Sequence, residues 1–252
     1  MKYKIFKSSD TNVSKFVFEK EANNDLNSIA VEAVLYRYNS YKDRTVICCS
    51  TQCGCPMGCS FCGTGKFFVR NLKSREIVEQ VVSVMDHVDC KPEEIKKFQI
   101  MLMSMGEPFL NFFEVEFAII KLADLYPNAQ LLISTVAPYV IVSYWIEFIE
   151  LCKRFPQVGI QFSIHEAYDS DRKKLISGKS LPLKTIGGLG ELWARETGRK
   201  PFFNYCVHDN NSTNEHISKL SENLNPDVWE CTLSVICDKT ENVSTSINRQ
   251  LN

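Results

Sequence analysis

A chain of 252 residues with 44% hydrophobic side chains and 16 phenylalanines has the size and apolar content for one domain with a sizeable core. Its formal net charge of −1 gives no global footprint for nucleic acid, and no apolar run reaches the length that crosses a bilayer. Eleven cysteines with no secretion signal ahead of the fold point to a reducing cytoplasm rather than a disulfide scaffold.

The first forty residues read as a β-hairpin. Lys15–Glu19 and Ser28–Arg37 alternate apolar and polar positions around Asn23-Asn24-Asp25. Strand-like runs then follow at Thr45–Cys49, Phe98–Ser104, Gln130–Ser134, Val158–Ile164, Phe202–Val207 and Glu230–Cys237. Helical periodicity falls between them, near Ser74–His87, Phe113–Leu125, Ser143–Arg154, Leu183–Glu196 and Thr213–Leu224. The chain thus divides into an extension over 1–40 and a core over 41–252. Six strands with five intervening helices predict an α/β fold with a parallel sheet. Handedness curls such a chain into an open part-barrel, shorter than the eight units of a closed one. A doubly wound sheet satisfies the same pattern.

The most informative stretch follows the first core strand: Cys55-Pro-Met-Gly-Cys59-Ser-Phe-Cys62. These spacings let one short loop wrap three thiolates around one face of a metal centre. Iron–sulfur cubes in electron carriers usually take four cysteines, so three leave one iron open to a ligand that is not protein. A zinc site calls for a fourth Cys or His at recognisable spacing, and His87, His165, His208 and His216 form no such pair. A cysteine-rich loop with no cofactor is the bland alternative.

Other polar motifs fall at the ends of the following strands, where βα barrels gather their catalytic groups. Gly106-Glu107-Pro108 follows the second strand, Ser134-Thr135 closes the third and Ser163-Ile164-His165 closes the fourth. Each has an ordinary structural explanation: a turn, a helix cap, a satisfied histidine. Their joint placement on one rim favours a site. A glycine admits close approach of a ligand to backbone, and a carboxylate accepts from an ammonium group.

The Cys-x3-Cys-x2-Cys loop with Phe61 before its last cysteine resembles the cluster loop of radical SAM enzymes. The run from Cys48-Cys49-Ser50-Thr51-Gln52-Cys53-Gly54-Cys55 to Arg70-Asn71-Leu72 resembles one branch, the dual-specificity RNA methyltransferases of the RlmN/Cfr type, which methylate adenine C2 or C8 in RNA. The resemblance implies an open (β/α)6 barrel. It also implies a [4Fe–4S] cluster on Cys55, Cys59 and Cys62, with S-adenosylmethionine (SAM) chelating the open iron. By the same resemblance Gly106 and Glu107 contact the SAM aminoacyl end, Ser134 contacts SAM, and Ser163, Ile164 and His165 lie along the adenosine, with Asp169 and Arg172 continuing the match. Cys48 matches a second catalytic cysteine that resolves an RNA–enzyme adduct, and Glu32 matches a proton acceptor.

The likeness runs from about Val31 to Glu222 and departs from the family in three places. Only about forty residues precede the core, where the family has a helical RNA-engaging domain. Ile236-Cys237-Asp238-Lys239 stands where the family has an Asn-rich loop. No Cys-Gly-Gln stretch with the family's methyl-accepting cysteine occurs before Asn252; the two explanations are a fragment of a longer protein and a shortened relative, in which Cys206, Cys231 or Cys237 could substitute. The expected function is a radical SAM enzyme that methylates an RNA adenine, with flavodoxin or ferredoxin as reductant. The rivals are radical chemistry on a peptide, nucleotide or small molecule, and a non-catalytic metal-binding module. Arg172, Lys173, Lys174, Lys179, Lys184, Arg195, Arg199 and Lys200 form a local basic cluster, which a solvated helix face explains equally well.

Overall fold

The computed structural model describes residues 1–20, 29–176, 179–208 and 210–235. The expected Asn23-Asn24-Asp25 turn and the end of the sixth core strand at Ile236-Cys237 lie outside those residues. The chain opens with three strands, β1 (Lys2–Lys7), β2 (Val13–Lys20) and β3 (Ile29–Tyr38), each antiparallel to the next. The core begins at β4 (Arg44–Cys49), followed by a short hairpin, β5 (Gln52–Gly54) and β6 (Phe68–Asn71), that brackets the cysteine loop. Helices and parallel strands then alternate: α1 (Ser74–Met85), β7 (Lys97–Leu102), α2 (Phe112–Leu125), β8 (Gln130–Thr135), α3 (Ile141–Arg154) and β9 (Val158–Ser163). The last are α4 (Asp169–Leu175), α5 (Leu183–Thr197), β10 (Phe202–Val207), α6 (Asn214–Asn223) and β11 (Glu230–Val235).

The main sheet runs β1-β2-β3-β4-β7-β8-β9-β10-β11. From β4 onward its six parallel strands follow chain order without reversal, which excludes the doubly wound alternative. Among the described residues β1 and β11 each pair on one side alone, so this sheet is open. The N-terminal segment has one strand more than a hairpin, and β3 pairs with β4, so it continues the barrel sheet. β1 escaped detection because Lys2, Lys4, Phe6 and Lys7 are exposed, which weakens its apolar alternation.

Period-two alternation assigns each strand two faces. Ile47 and Cys49 of β4 join Ile77, Val81 and Val84 of α1 in the main core, whereas Val46 and Cys48 pack with Val34 and Met101 on the inner face. On β8, Leu131 and Ile133 are buried toward the helices while Leu132 and Ser134 are half-buried inside. Helix α1 starts cleanly because Glu76 accepts from the Lys73 N–H at 2.9 Å. Trp145 of α3 is buried against Phe109 and Phe162 and donates its indole N–H to Leu189 O at 3.1 Å, locking α3 to α5. Fully burying each such side chain contributes about 1.5–3 kcal/mol, which leaves the inner rim free to carry polar groups.

Candidate active site at the mouth of the open barrel

The cysteine loop is held at its base before it turns outward. The N–H groups of Thr51 and Gln52 donate to Met105 O at 2.8 and 3.2 Å, and Asn111 Nδ2 donates to Thr51 O and Leu72 O, both at 2.8 Å. Gln52 Oε1 accepts from the Glu107 N–H at 2.9 Å, so the strand before the cysteines and the Gly-Glu turn form one hydrogen-bonded unit. Farther out, Cys55 N donates to Phe67 O and Ser60 N to Leu175 O, each at 2.8 Å. These contacts aim Cys55, Cys59 and Cys62 into one cavity of about 260 Å³.

No three His, Cys, Asp or Glu side chains among the described residues converge on a single metal-ion position. A [4Fe–4S] cluster takes each thiolate on a different iron, and three cysteines spread around one cavity suit that donor set. Burial pushes the Cys55 thiol up to about 11 and the Cys59 thiol up to about 12. Only a positive centre in the cavity would hold them as thiolates near neutrality.

The opposite wall comes from the ends of β7, β8, β9 and β10: Gly106, Glu107, Ser134, Thr135, Ser163, His165, Asn204 and Cys206. Glu107 is buried, its Oε1 accepting from Thr135 Oγ1 at 2.6 Å and Phe109 N at 3.2 Å, its Oε2 from Val136 N at 2.9 Å. Burial pushes its carboxyl up to about 7, against the pull of those donors. The native state therefore favours protonated Glu107. That contribution to stability is complete below the ordinary value of 4.5 and is lost as pH rises through about 7. It amounts to about 3 kcal/mol across that span. Buried His165, pushed down to about 4, works the other way as pH rises to 6.5, so the Glu107 contribution is read as a difference: from pH 5 to pH 8 the urea midpoint of the cofactor-free wild type should fall relative to that of Glu107→Gln. An equal pH dependence in the two proteins would remove Glu107 as a source of it.

His165 sits at φ +61°, is 6% exposed, and its Nδ1 has no hydrogen-bond partner among the described residues. Burial, reinforced by Arg172, pushes the imidazole down to about 4, so it faces the cavity neutral. The Phe61 ring meets it edge-on at 5.2 Å between centroids. Asn211, itself buried, donates to His165 O at 3.0 Å and to Cys206 O at 2.9 Å, fixing the ends of two strands together. The Ile164 side chain is wholly buried in the core and does not line the cavity; only its backbone lies at the rim.

Arg172 clasps this wall from behind. Its guanidinium donates to Ser180 Oγ, Leu181 O, Val136 O and Ser163 O at 2.8–3.2 Å while 2% exposed. Arg172→Met leaves three carbonyls without that donor and should cost about 3 kcal/mol, read from the urea midpoint. It should also weaken SAM binding through Ser163, and an unchanged midpoint would contradict the clasp.

Two expected residues stand apart. Cys48 lies beneath the cavity among Val34, Val46 and Met101, and burial pushes its thiol up to about 12. Glu32 sits at the rim, paired with Lys15 at 2.8 Å, and accepts from Ser104 Oγ at 3.3 Å; Ser104 lines the cavity and Glu32 does not. Of the cysteines considered as substitutes, Cys206 lines the cavity, Cys231 lines a groove on the helix side of β10 and β11, and Cys237 is outside the described residues. Sequence reading missed Asn204, Asn211 and the Gln52 bridge. Asn204 was detectable as a polar residue at an inward position between Phe203 and Tyr205; Asn211, in a loop, gave no signal.

Fold and cavity together define an enzyme class: an open barrel that sets three thiolates at its mouth against a polar wall shaped for a small ligand. Comparison with known proteins agrees. The description "Radical SAM superfamily" matches residues 49–191, and the chain belongs to that superfamily, whose cofactors are a [4Fe–4S] cluster and SAM. It is 34% identical to a "Probable dual-specificity RNA methyltransferase RlmN" of Desulfitobacterium hafniense, over 73% of this chain and 52% of that one. It is 32% identical to the "Ribosomal RNA large subunit methyltransferase N" of Nitrosopumilus maritimus, over 71% of this chain and 51% of that one. The chain spans about half the length of the curated relatives it matches. Among solved structures, a radical SAM methyltransferase from Sphaerobacter thermophilus superposes with a TM-score of 0.72 at 25% identity, covering 98% of this chain and 72% of that one. No described helix is long and apolar enough to cross a membrane.

Proposed function

We propose that Cys55, Cys59 and Cys62 hold a [4Fe–4S] cluster and that SAM lies between it and the wall of Gly106, Glu107, Ser134, Ser163 and His165. The observation that carries this reading is that all three cysteines and all five wall residues line one cavity. When bound and reduced, the cluster supplies one electron that cleaves SAM to methionine and a 5′-deoxyadenosyl radical. The chain's own residues position the ligand. Glu107 offers a carboxylate for the SAM ammonium, whose charge would favour its ionised form. Gly106 lets backbone approach closely, and neutral His165 has a free ring nitrogen for a polar group of the nucleoside. Phe61 and Met103 give the cavity apolar walls that limit water. Glu32, which pairs with Lys15 and accepts from the cavity-lining Ser104, would act as proton acceptor from outside the cavity lining.

We infer further that the product is a methylated adenine in RNA, made in a reducing cytoplasm. The names of the relatives and the methyltransferase character of the Sphaerobacter neighbour support it. A base presented from a loop or single strand can enter such a mouth. The test is anaerobic SAM turnover with total RNA. 5′-Deoxyadenosine together with S-adenosylhomocysteine, both dependent on RNA, is the expected outcome. 5′-Deoxyadenosine alone would overturn RNA methylation and leave the radical chemistry standing.

A further inference from the structure

The cysteine loop forms one wall of the cavity, and its outer side is built differently from its inner one. Gly58, Ser60, Phe61 and Gly63 are exposed along it. From Thr45 to Arg75 the chain has four cationic residues and no Asp or Glu; from Arg172 to Gly190 it has five and none. These two segments meet at the loop, where Ser60 N donates to Leu175 O at 2.8 Å and Lys179 Nζ to Pro56 O at 3.3 Å. In a chain of net charge −1 such a concentration is local, not a reflection of composition.

Several of these cations are engaged. Arg70 pairs with Glu76, Lys73 with Glu114, Lys174 with Asp171, and Arg172 is buried. Lys66, Lys173, Lys179 and Lys184 remain exposed, with no carboxylate partner among the described residues. The nearby acids are neutralised or turned inward: Glu107 is buried, Glu166 faces His208 at 3.0 Å, and Asp169 accepts from Leu183 N at 2.9 Å. Beside the lysines, Phe67, Phe68 and Val69 are 46–48% exposed. The cavity lining contains no Lys or Arg, so this positive, partly apolar surface belongs to the outer side of the loop.

We propose that this outer face is the docking surface for a small acidic electron-transfer protein. The proposal rests on the cluster reading above. The carrier gives up one electron and the oxidised cluster takes it, with no atom transferred. Complementary charge steers the encounter, and a modest apolar centre suits the short-lived contact of redox partners. The substrate then keeps the cavity side of the mouth to itself.

The test uses reconstituted protein and photoreduced flavodoxin as the acidic carrier, following the bleaching of cluster absorbance by anaerobic stopped flow. A variant reversing three exposed charges (Lys66→Glu, Lys173→Glu, Lys184→Glu) should lower the second-order rate at low salt by roughly tenfold or more. The wild-type rate should fall as salt rises, and dithionite should reduce both proteins within about twofold of each other. Binding of total RNA should be the same for both. Unchanged reduction by flavodoxin with an intact cluster overturns the docking surface. So does loss of RNA binding with flavodoxin reduction preserved, which would hand the lysines to phosphate contacts. Failure of the wild-type protein to assemble a cluster would sink the cluster reading and this proposal with it.

Discussion

Replacing Cys59 with alanine should abolish formation of 5′-deoxyadenosine while leaving a folded protein. Cys59 is half-buried at the cavity wall, so truncating its thiol removes few core contacts and should cost about 1 kcal/mol or less. Its loss leaves two thiolates for a cluster that takes three from this chain, and a metal centre stripped of one ligand binds poorly. Turnover should drop at least ~100-fold, with visible cluster absorbance falling in parallel. Cys53 provides the contrast. It is buried beside the loop, contacts Ala30 O at 3.5 Å and does not line the cavity, so Cys53→Ala should keep both cluster and turnover. Equal iron content in Cys59→Ala and wild type would contradict the assignment.

Gly106→Ala should be strongly damaging, because it strains the turn that presents Glu107 to the cavity. Gly106 has φ +98°, a conformation costly for a side chain-bearing residue, and an added Cβ would stand 2.6 Å from Gln52 Cβ and 2.7 Å from Gln52 N. Gln52 cannot retreat easily, because it is 1% exposed, accepts from Glu107 N and donates to Asn71 Oδ1 at 2.7 Å. The combined strain and clash should lower stability by about 3–5 kcal/mol and disorder the turn that presents Glu107. Gly188, on α5, has no atom within 4 Å of an added Cβ; Gly188→Ala should raise stability by about 0.5–1 kcal/mol. Urea denaturation of the two variants side by side checks both, and a Gly106→Ala midpoint equal to wild type would refute the close approach.

The parts of the fold most legible in sequence are those whose patterns survive packing. The six parallel strands combine apolar runs with turn residues, and α1, α2, α3, α5 and α6 show clear helical periodicity. Their order on the sheet follows from handedness and short connections, but barrel curvature came from the family resemblance, because the same periodicity builds a doubly wound sheet. β1 and α4 were not legible: one is a lysine-rich edge strand, the other seven residues of mostly charged sequence. In the site, the cysteine spacing and the strand-end motifs were visible because each is local. The supports were not visible because they are contacts between residues far apart in the chain. Arg172 reaches Val136 and Ser163, Asn211 reaches His165, and Gln52 reaches Glu107, and no spacing rule records such a reach. Within the Ser163-Ile164-His165 triplet, the Ile164 side chain is buried in the core, while Ser163 at the end of β9 and His165 beyond it line the cavity.

The direct measurement is 5′-deoxyadenosine and methionine formed from SAM by the anaerobically reconstituted, dithionite-reduced protein supplied with total RNA. The account predicts the two in equal amounts, absent from Cys59→Ala and retained by Cys53→Ala. A verified, intact cluster that reduces fully yet yields neither product would contradict it.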